Sequence, residues 1–308
     1  MYNNSKLSFL KWAGGKRRLV NTLDKLTPNN IERYFEPFLG SGVFFFYLIQ
    51  TRKKFKAILS DSNFELINAY KIVRDNVDDL IELLLEHQTR YSNGKAKYYY
   101  FIRDEYIPKS CTELAAKFIF LNKTCYNGLY RVNRSGTFNV PHGKYVNPKI
   151  CNIEKLSKCS ELLRISDAEI ICDSYKRILL KCERDDFIYL DPPYFPLSKT
   201  SNFTDYTKES FGIFEHNELA KEFETLNKKG TKVILSNSNS NYIRQLYKEF
   251  EIIKIKSLRN INCNAYNRKG HYDLIISNYN KKNEDENARI NMDNIPKPTI
   301  SNLPDQVR

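Results

Sequence analysis

Residues 32–63, ERYFEPFLGSGVFFFYLIQTRKKFKAILSDSN, decide the fold. "ERYFEPF" (32–38) is short, aromatic and interrupted by proline, and reads as a strand running into a turn. "LGSG" (39–42) follows, then an apolar run from about Val43 to Gln50 long enough for a helix. "FKAILS" (55–60) is a second strand with Asp61 at its C-terminal end, and another helix begins near Ser62. Strand, glycine turn, helix, strand and terminal acid, in that order, predict a doubly wound α/β sheet of the nucleotide-binding kind. Asp61 lies 19 residues beyond Gly42, the spacing at which a carboxylate meets both hydroxyls of a ribose.

Working outward, strand-like runs recur as "AEIIC", "FIYL", "TKVILS", "FEIIKI" and "YDLIIS" after residue 167, alternating with helical stretches. Between the two α/β parts lie "VDDLIELLLEHQTRY", "AKYYYFIRDEYI" and "TELAAKFIFLNK", helical in pattern, then "TCYNGLYRVNRSGTFNVPHGKY" (124–145), whose Asn-Gly, Ser-Gly and His-Gly pairs predict a hairpin or exposed loop. The expected organisation is one α/β domain from 1–74 and 166–280, a mostly helical insertion at 75–165, and a disordered tail at 281–308 without Phe, Trp or Tyr. The aromatic run 98–101 is assigned to packing inside the helical insertion, and His142 is given no catalytic role.

The 308 residues carry a formal net charge of +13. Residues 123–149 hold Lys123, Arg131, Arg134, Lys144 and Lys149 against no acid, which points to a polyanion partner. No run of about 18 apolar residues predicts a membrane span, and the N-terminus lacks the pattern of a secretory signal, so a cytoplasmic setting is expected. Seven cysteines without a C-x-x-C pair and four scattered histidines argue against a zinc site, and no metal is expected.

Chemistry is expected beyond the C-terminal ends of the strands. There Glu36, Phe38, Gly40, Ser41 and Gly42 follow the first strand and Asp61 the second. Neither G-x-G-x-x-G nor G-x-x-x-x-G-K-[ST] occurs, so the ligand should be nucleoside-like without a polyphosphate; S-adenosyl-L-methionine fits. The strand "FIYL" ends in Asp191, Pro192, Pro193 and Tyr194. A proline stop explains the prolines, but not the acid and aromatic flanking them. Methylating an exocyclic amine, whose lone pair is delocalised into the base, explains all four. A carboxylate and a rigidly held carbonyl accept the amine hydrogens, the tyrosine stacks on the base, and positioning does the rest.

Taken together, "FLKWAGGK" (9–16), "FEPFLGSG" (35–42), "LSDSN" (59–63), "NGLYRVNRSGTFNVPHGKY" (127–145) and "YLDPPY" (189–194) resemble, in order, the Dam-type D12-class DNA adenine-N6 methyltransferases. The order of blocks looks like the α group, in which a recognition domain separates the cofactor motif from the catalytic motif. The resemblance runs from about residue 7 to 280. It implies a Rossmann-like methyltransferase sheet and methylation of an adenine flipped out of double-stranded DNA, within GATC. Bacterial, archaeal or phage origin and a cognate restriction endonuclease as genetic partner would suit it.

Position by position, the resemblance implies cofactor contacts at Trp12, Lys16, Phe38, Gly40, Ser41, Gly42, Asp61, Asp173 and Asp191, with catalysis at 191–194. It implies DNA contacts at Tyr126, Asn127, Leu129, Arg131, Asn133, Arg134, Pro141 and Lys144, Arg131 reading a guanine edge. Lys144 stands where the family commonly has arginine, and Ser41 where glycine is frequent. "TSNFTDY" (200–206) is expected to close over the flipped base. The rival readings are an RNA methyltransferase using the same cofactor and a DNA-binding relative that has lost catalysis.

Overall fold

A computed structural model describes residues 7–12, 16–52, 54–197, 211–256 and 272–281. The tail at 282–308 and the 200–206 segment lie outside the described residues, as do Gly14 and Gly15. Among the described residues, seven strands form one sheet: β1 (Arg33–Glu36), β2 (Lys56–Asp61), β3 (Glu169–Cys172), β4 (Phe187–Leu190), β5 (Lys232–Ser238), β6 (Glu251–Lys256) and β7 (Tyr272–Ser277). Their order is β3-β2-β1-β4-β5-β7-β6. The first five are mutually parallel, and β7 runs antiparallel between β5 and β6. The order reverses direction between β1 and β4, which opens a crevice at their carboxyl ends.

The period of two in each strand sorts side chains to the two faces. Tyr34, Phe187, Tyr189 and Ile234 enter one core, with α2 (Val43–Thr51) and α3 (Phe64–Asp75). Phe35, Ile188, Leu190, Val233 and Leu235 enter the other, against α7 (Tyr175–Leu180), α8 (Ile213–Lys229) and α9 (Asn241–Leu246). Buried on both sides, β4 has no charged residue until Asp191 follows it.

The insertion consists of α4 (Val77–Asp104), α5 (Cys111–Thr124) and α6 (Ile153–Ile165) around the segment 125–152. Its core is continuous with the first face of the sheet through α3. The two separate helices expected over 77–107 are joined end to end, with a break at Lys95, where φ is 42°. Asn93 and Gly94 just before it supply the flexible backbone such a break needs. Of the aromatic run, Tyr99 is fully buried and donates to the Val140 carbonyl at 2.7 Å, while Tyr98 bonds His87 at 2.7 Å. Tyr91 bonds His142 at 2.7 Å, so that histidine buttresses the 125–152 segment. The segment's hairpin is made of isolated antiparallel bridges, Cys125 to His142 and Val132 to Phe138, rather than a regular ladder. Asn133 closes its tip: Oδ1 accepts from the Ser135 and Thr137 amides at 3.1 and 2.9 Å.

One buried amide ties the chain's start to this insertion. Asn122 Oδ1 accepts from Lys11 N at 2.8 Å, and its Nδ2 donates to the Lys11 and Gly128 carbonyls. Asn122→Ala leaves these backbone groups without their partner and should lower stability by about 1–3 kcal/mol, read by urea unfolding.

Candidate active site and nucleic-acid interface

Every parallel strand delivers polar groups to the crevice. At the end of β1, Glu36 is 3% exposed and accepts from the Tyr34 hydroxyl at 2.8 Å. Burial pushes its carboxyl up to about 8, with the nearby Asp191 charge adding to the rise and the Tyr34 bond opposing it. At the end of β4, Asp191 Oδ1 receives two donors, Lys16 Nζ at 2.7 Å and Ser236 Oγ at 2.6 Å. Lys16 Nζ also stands 4.3 Å from the centre of the Tyr194 ring. The turn after Asp191 is fixed from β5. Phe195 N donates to Asn237 Oδ1 at 3.0 Å, and Ser238 Oγ donates to the Phe195 carbonyl at 2.6 Å.

Asp61 closes the glycine turn: its two oxygens accept from Gly40 N at 3.1 Å and Asn63 N at 3.0 Å. Burial pushes this carboxyl up, and those amides, with that of Ser62, pull it back. Gly40 and Gly42 have φ of +46° and +58°, which side-chain-bearing residues rarely adopt. A Cβ on Gly40 would lie 2.9 Å from the Trp12 indole, so the indole lies directly on the turn. Phe38, Tyr175 and Phe211 form an aromatic group beside it, Phe38 stacked on Tyr175 at 5.1 Å. Asp173, at the end of β3, is turned to its own helix: it accepts from Ser174 N at 2.7 Å and lies 3.8 Å from Arg177.

The expected cofactor set therefore converges, Trp12, Lys16, Phe38, Gly40, Ser41, Gly42, Asp61 and Asp191 at adjoining strand ends, with Asp173 further along the same edge. The positive-φ cradle and its carboxylates fit a nucleoside carrying an amino-acid end. Three partners were missed in sequence: Ser236, Tyr189 and Tyr130. The first emerges from the pairing of β4 with β5. Leu190 pairs with Leu235, so Asp191 and Ser236 are next in register on the same face.

On the insertion, Tyr126 and Asn127 are exposed, and Asn127 adopts φ 55° before Gly128 at 65°. Arg131 is exposed and steadied by Asn139, its Nε donating to Oδ1 at 2.7 Å. Arg134, Pro141 and Lys144 are also exposed, while Leu129 is half-buried and Asn133 is engaged in its turn. Burial first, then the neighbouring charges of Lys155, Lys11 and Arg17, push the Lys123 ammonium down to about 7. Tyr130, next to Arg131, stacks on Trp12 at 6.0 Å and donates to Glu65 at 2.8 Å. The glycine-turn edge and the basic segment thus share a wall.

A mostly parallel sheet with an antiparallel seventh strand, glycine turn and Asp-Pro-Pro-Tyr turn define an amine methyltransferase of the Rossmann-like kind. The chain belongs to the D12 class of N6 adenine-specific DNA methyltransferases, which it matches over residues 12–261. It is 43% identical to the type II methyltransferase M.MjaIII of Methanocaldococcus jannaschii over 88% of this chain and 98% of that protein. It is 40% identical to the type II methyltransferase M1.LlaDCHI of Lactococcus lactis subsp. cremoris, over 88% and 95%. It is 34% identical to the DNA adenine methylase of Escherichia coli K12, over 87% and 94%. The family uses S-adenosylmethionine as methyl donor, and its substrate class answers the choice between DNA and RNA. Among the described residues no helix is long and apolar enough to cross a membrane.

Glu36 gives a pH test. Its raised value makes the native state bind more protons than the unfolded chain from about pH 4.5 to about 8, so native stability falls across that window. Glu36→Gln removes this dependence. The melting temperature of the variant relative to wild type should climb from pH 5 to pH 8 and level off above; a constant difference would exclude a buried neutral Glu36.

Proposed function

We propose that this methyltransferase flips the adenine of GATC out of double-stranded DNA and holds it over the 191–194 turn. The observation that carries this is Asp191: a carboxylate at the switch point of the sheet, held by two donors and followed by a rigid diproline and an aromatic ring. Asp191 and the Pro192 carbonyl accept the N6 hydrogens, Pro193 stiffens the turn, and Tyr194 stacks on the base. S-adenosylmethionine supplies a methyl group already activated on a sulfonium, so no metal is required. Asp61 and the 40–42 turn receive the cofactor's ribose and amino-acid end, Trp12 and Phe38 wall the pocket, Lys16 contributes its charge, and Asp173 lies toward the adenine.

Residues 75–165 form the recognition region, between catalytic parts at 1–74 and 166–280. Tyr126 and Asn127 support the duplex where the base leaves. Arg131 reads a guanine edge, with Leu129 beside it and Pro141 and Lys144 near the outer bases. Arg134 and Asn133 lie at the hairpin tip. The gathering of Lys11, Arg17, Lys123 and Lys155 at the base of the hairpin favours a polyanion there. A cognate endonuclease as genetic partner suits the two relatives named type II methyltransferases.

The test is transfer of labelled methyl to GATC duplexes and to duplexes with that site scrambled. Label should enter the GATC duplex alone and be lost in Asp191→Ala. Label in both duplexes would keep the chemistry and move the target sequence. In wild type, Arg131→Ala should cost about 1–3 kcal/mol of discrimination at one guanine, read as a drop in kcat/KM ratio between cognate and substituted duplexes.

A further inference from the structure

Asp191 is not the end of its hydrogen-bond chain. Ser236 Oγ donates to Asp191 Oδ1 at 2.6 Å, so its single proton is committed there. The Tyr189 hydroxyl lies 3.1 Å from the same Oγ and therefore acts as donor to it. Tyr189 is 1% exposed and Ser236 fully buried, so neither group exchanges this partner for water. The chain Tyr189 to Ser236 to Asp191 crosses from β4 to β5 and back, and the parallel register that pairs Leu190 with Leu235 fixes its geometry. Lys16 reaches the same Oδ1 from the other side at 2.7 Å.

We propose that Ser236, backed by Tyr189, is a positioning residue: with Lys16 it occupies Oδ1, so that the exocyclic amine is received at Oδ2. This rests on the assignment of Asp191 as the amine acceptor. A carboxylate can rotate about its Cβ–Cγ bond and offer either oxygen to an incoming donor. Two short donors on one oxygen, one of them anchored in a central strand, remove that freedom and aim the second oxygen. The amine is then placed for attack before it arrives, and misplacement costs rate rather than affinity.

The experiment is single-turnover methylation of a cognate duplex, with cofactor and DNA affinities measured alongside. Ser236→Ala should slow methyl transfer about 10–100-fold while both affinities stay within about 3-fold, because small displacements of a reacting group act on the chemical step. Ser236→Thr, which keeps the hydroxyl, should recover most of the rate. Tyr189→Phe should show a smaller loss, and adding it to Ser236→Ala should cost nothing more, since the two act in series. Equal loss of rate and affinity, or full additivity of the two substitutions, would overturn the relay, as would wild-type transfer by Ser236→Ala. If Ser236→Ala does not fold, Tyr189→Phe decides alone: a wild-type rate overturns the inference. Asp191→Asn is the separating control. A Ser236→Ala protein at full rate beside an inactive Asp191→Asn protein rejects the relay alone. An active Asp191→Asn protein rejects the acceptor assignment beneath it.

Discussion

Two carboxyl groups at neighbouring parallel strand ends, Glu36 and Asp191, set the terms for the rest of the site. Both follow the same face of the sheet, because each stands two residues beyond an aromatic, Tyr34 and Tyr189, that enters the same core. Burial penalises the charge of Glu36, and the surroundings of the two carboxyls differ. Glu36 has only tyrosine and backbone donors about it and its carboxyl is pushed up to about 8, whereas Asp191 has an ammonium and a hydroxyl. One acid thereby remains a neutral structural group, and the other is held by a cation and a hydroxyl.

That division depends on the N-terminal segment, since Lys16 brings the cation. The segment is held twice. Asn122 grips the backbone of Lys11, and the Trp12 indole lies against Gly40, where any side chain would strike it. Gly40 in turn is bound to Asp61 through its amide. The placing of Lys16, the shape of the glycine turn and the orientation of Asp61 are consequently one packing problem. Left-handed φ at Gly40 lets the turn fit beneath the indole, and at Gly42 it lets the turn pass close to Tyr70.

The sheet was legible in sequence because its strands are short apolar runs with punctuation at both ends. All seven appear where such runs occur, and Asp61 and Asp191 fall at strand ends as the order of motifs requires. Ser236 was not legible as a site residue. "TKVILS" reads as a strand, but the partner of Asp191 emerges only once β4 and β5 are paired in register. Pairing is a non-local property that no single run encodes. Tyr130 was passed over for a similar reason: its neighbours Trp12 and Glu65 are distant in sequence and close only in the fold. The hairpin was foreseen, yet its closure by the Asn133 side chain, rather than by a ladder, follows from local polar groups competing with strand pairing.

The Trp12–Tyr130 stack has a mechanical consequence. Tyr130 precedes Arg131 on an otherwise exposed segment, and its hydroxyl is tied to Glu65 at the start of α3, the helix that follows Asp61. A segment that runs over the surface has little core of its own. Its footing is taken instead from the Trp12 indole on the glycine turn and from α3. The 125–152 segment is thereby packed at Tyr130 against the glycine-turn edge and α3, while Arg131, Arg134 and Lys144 stay exposed at its surface.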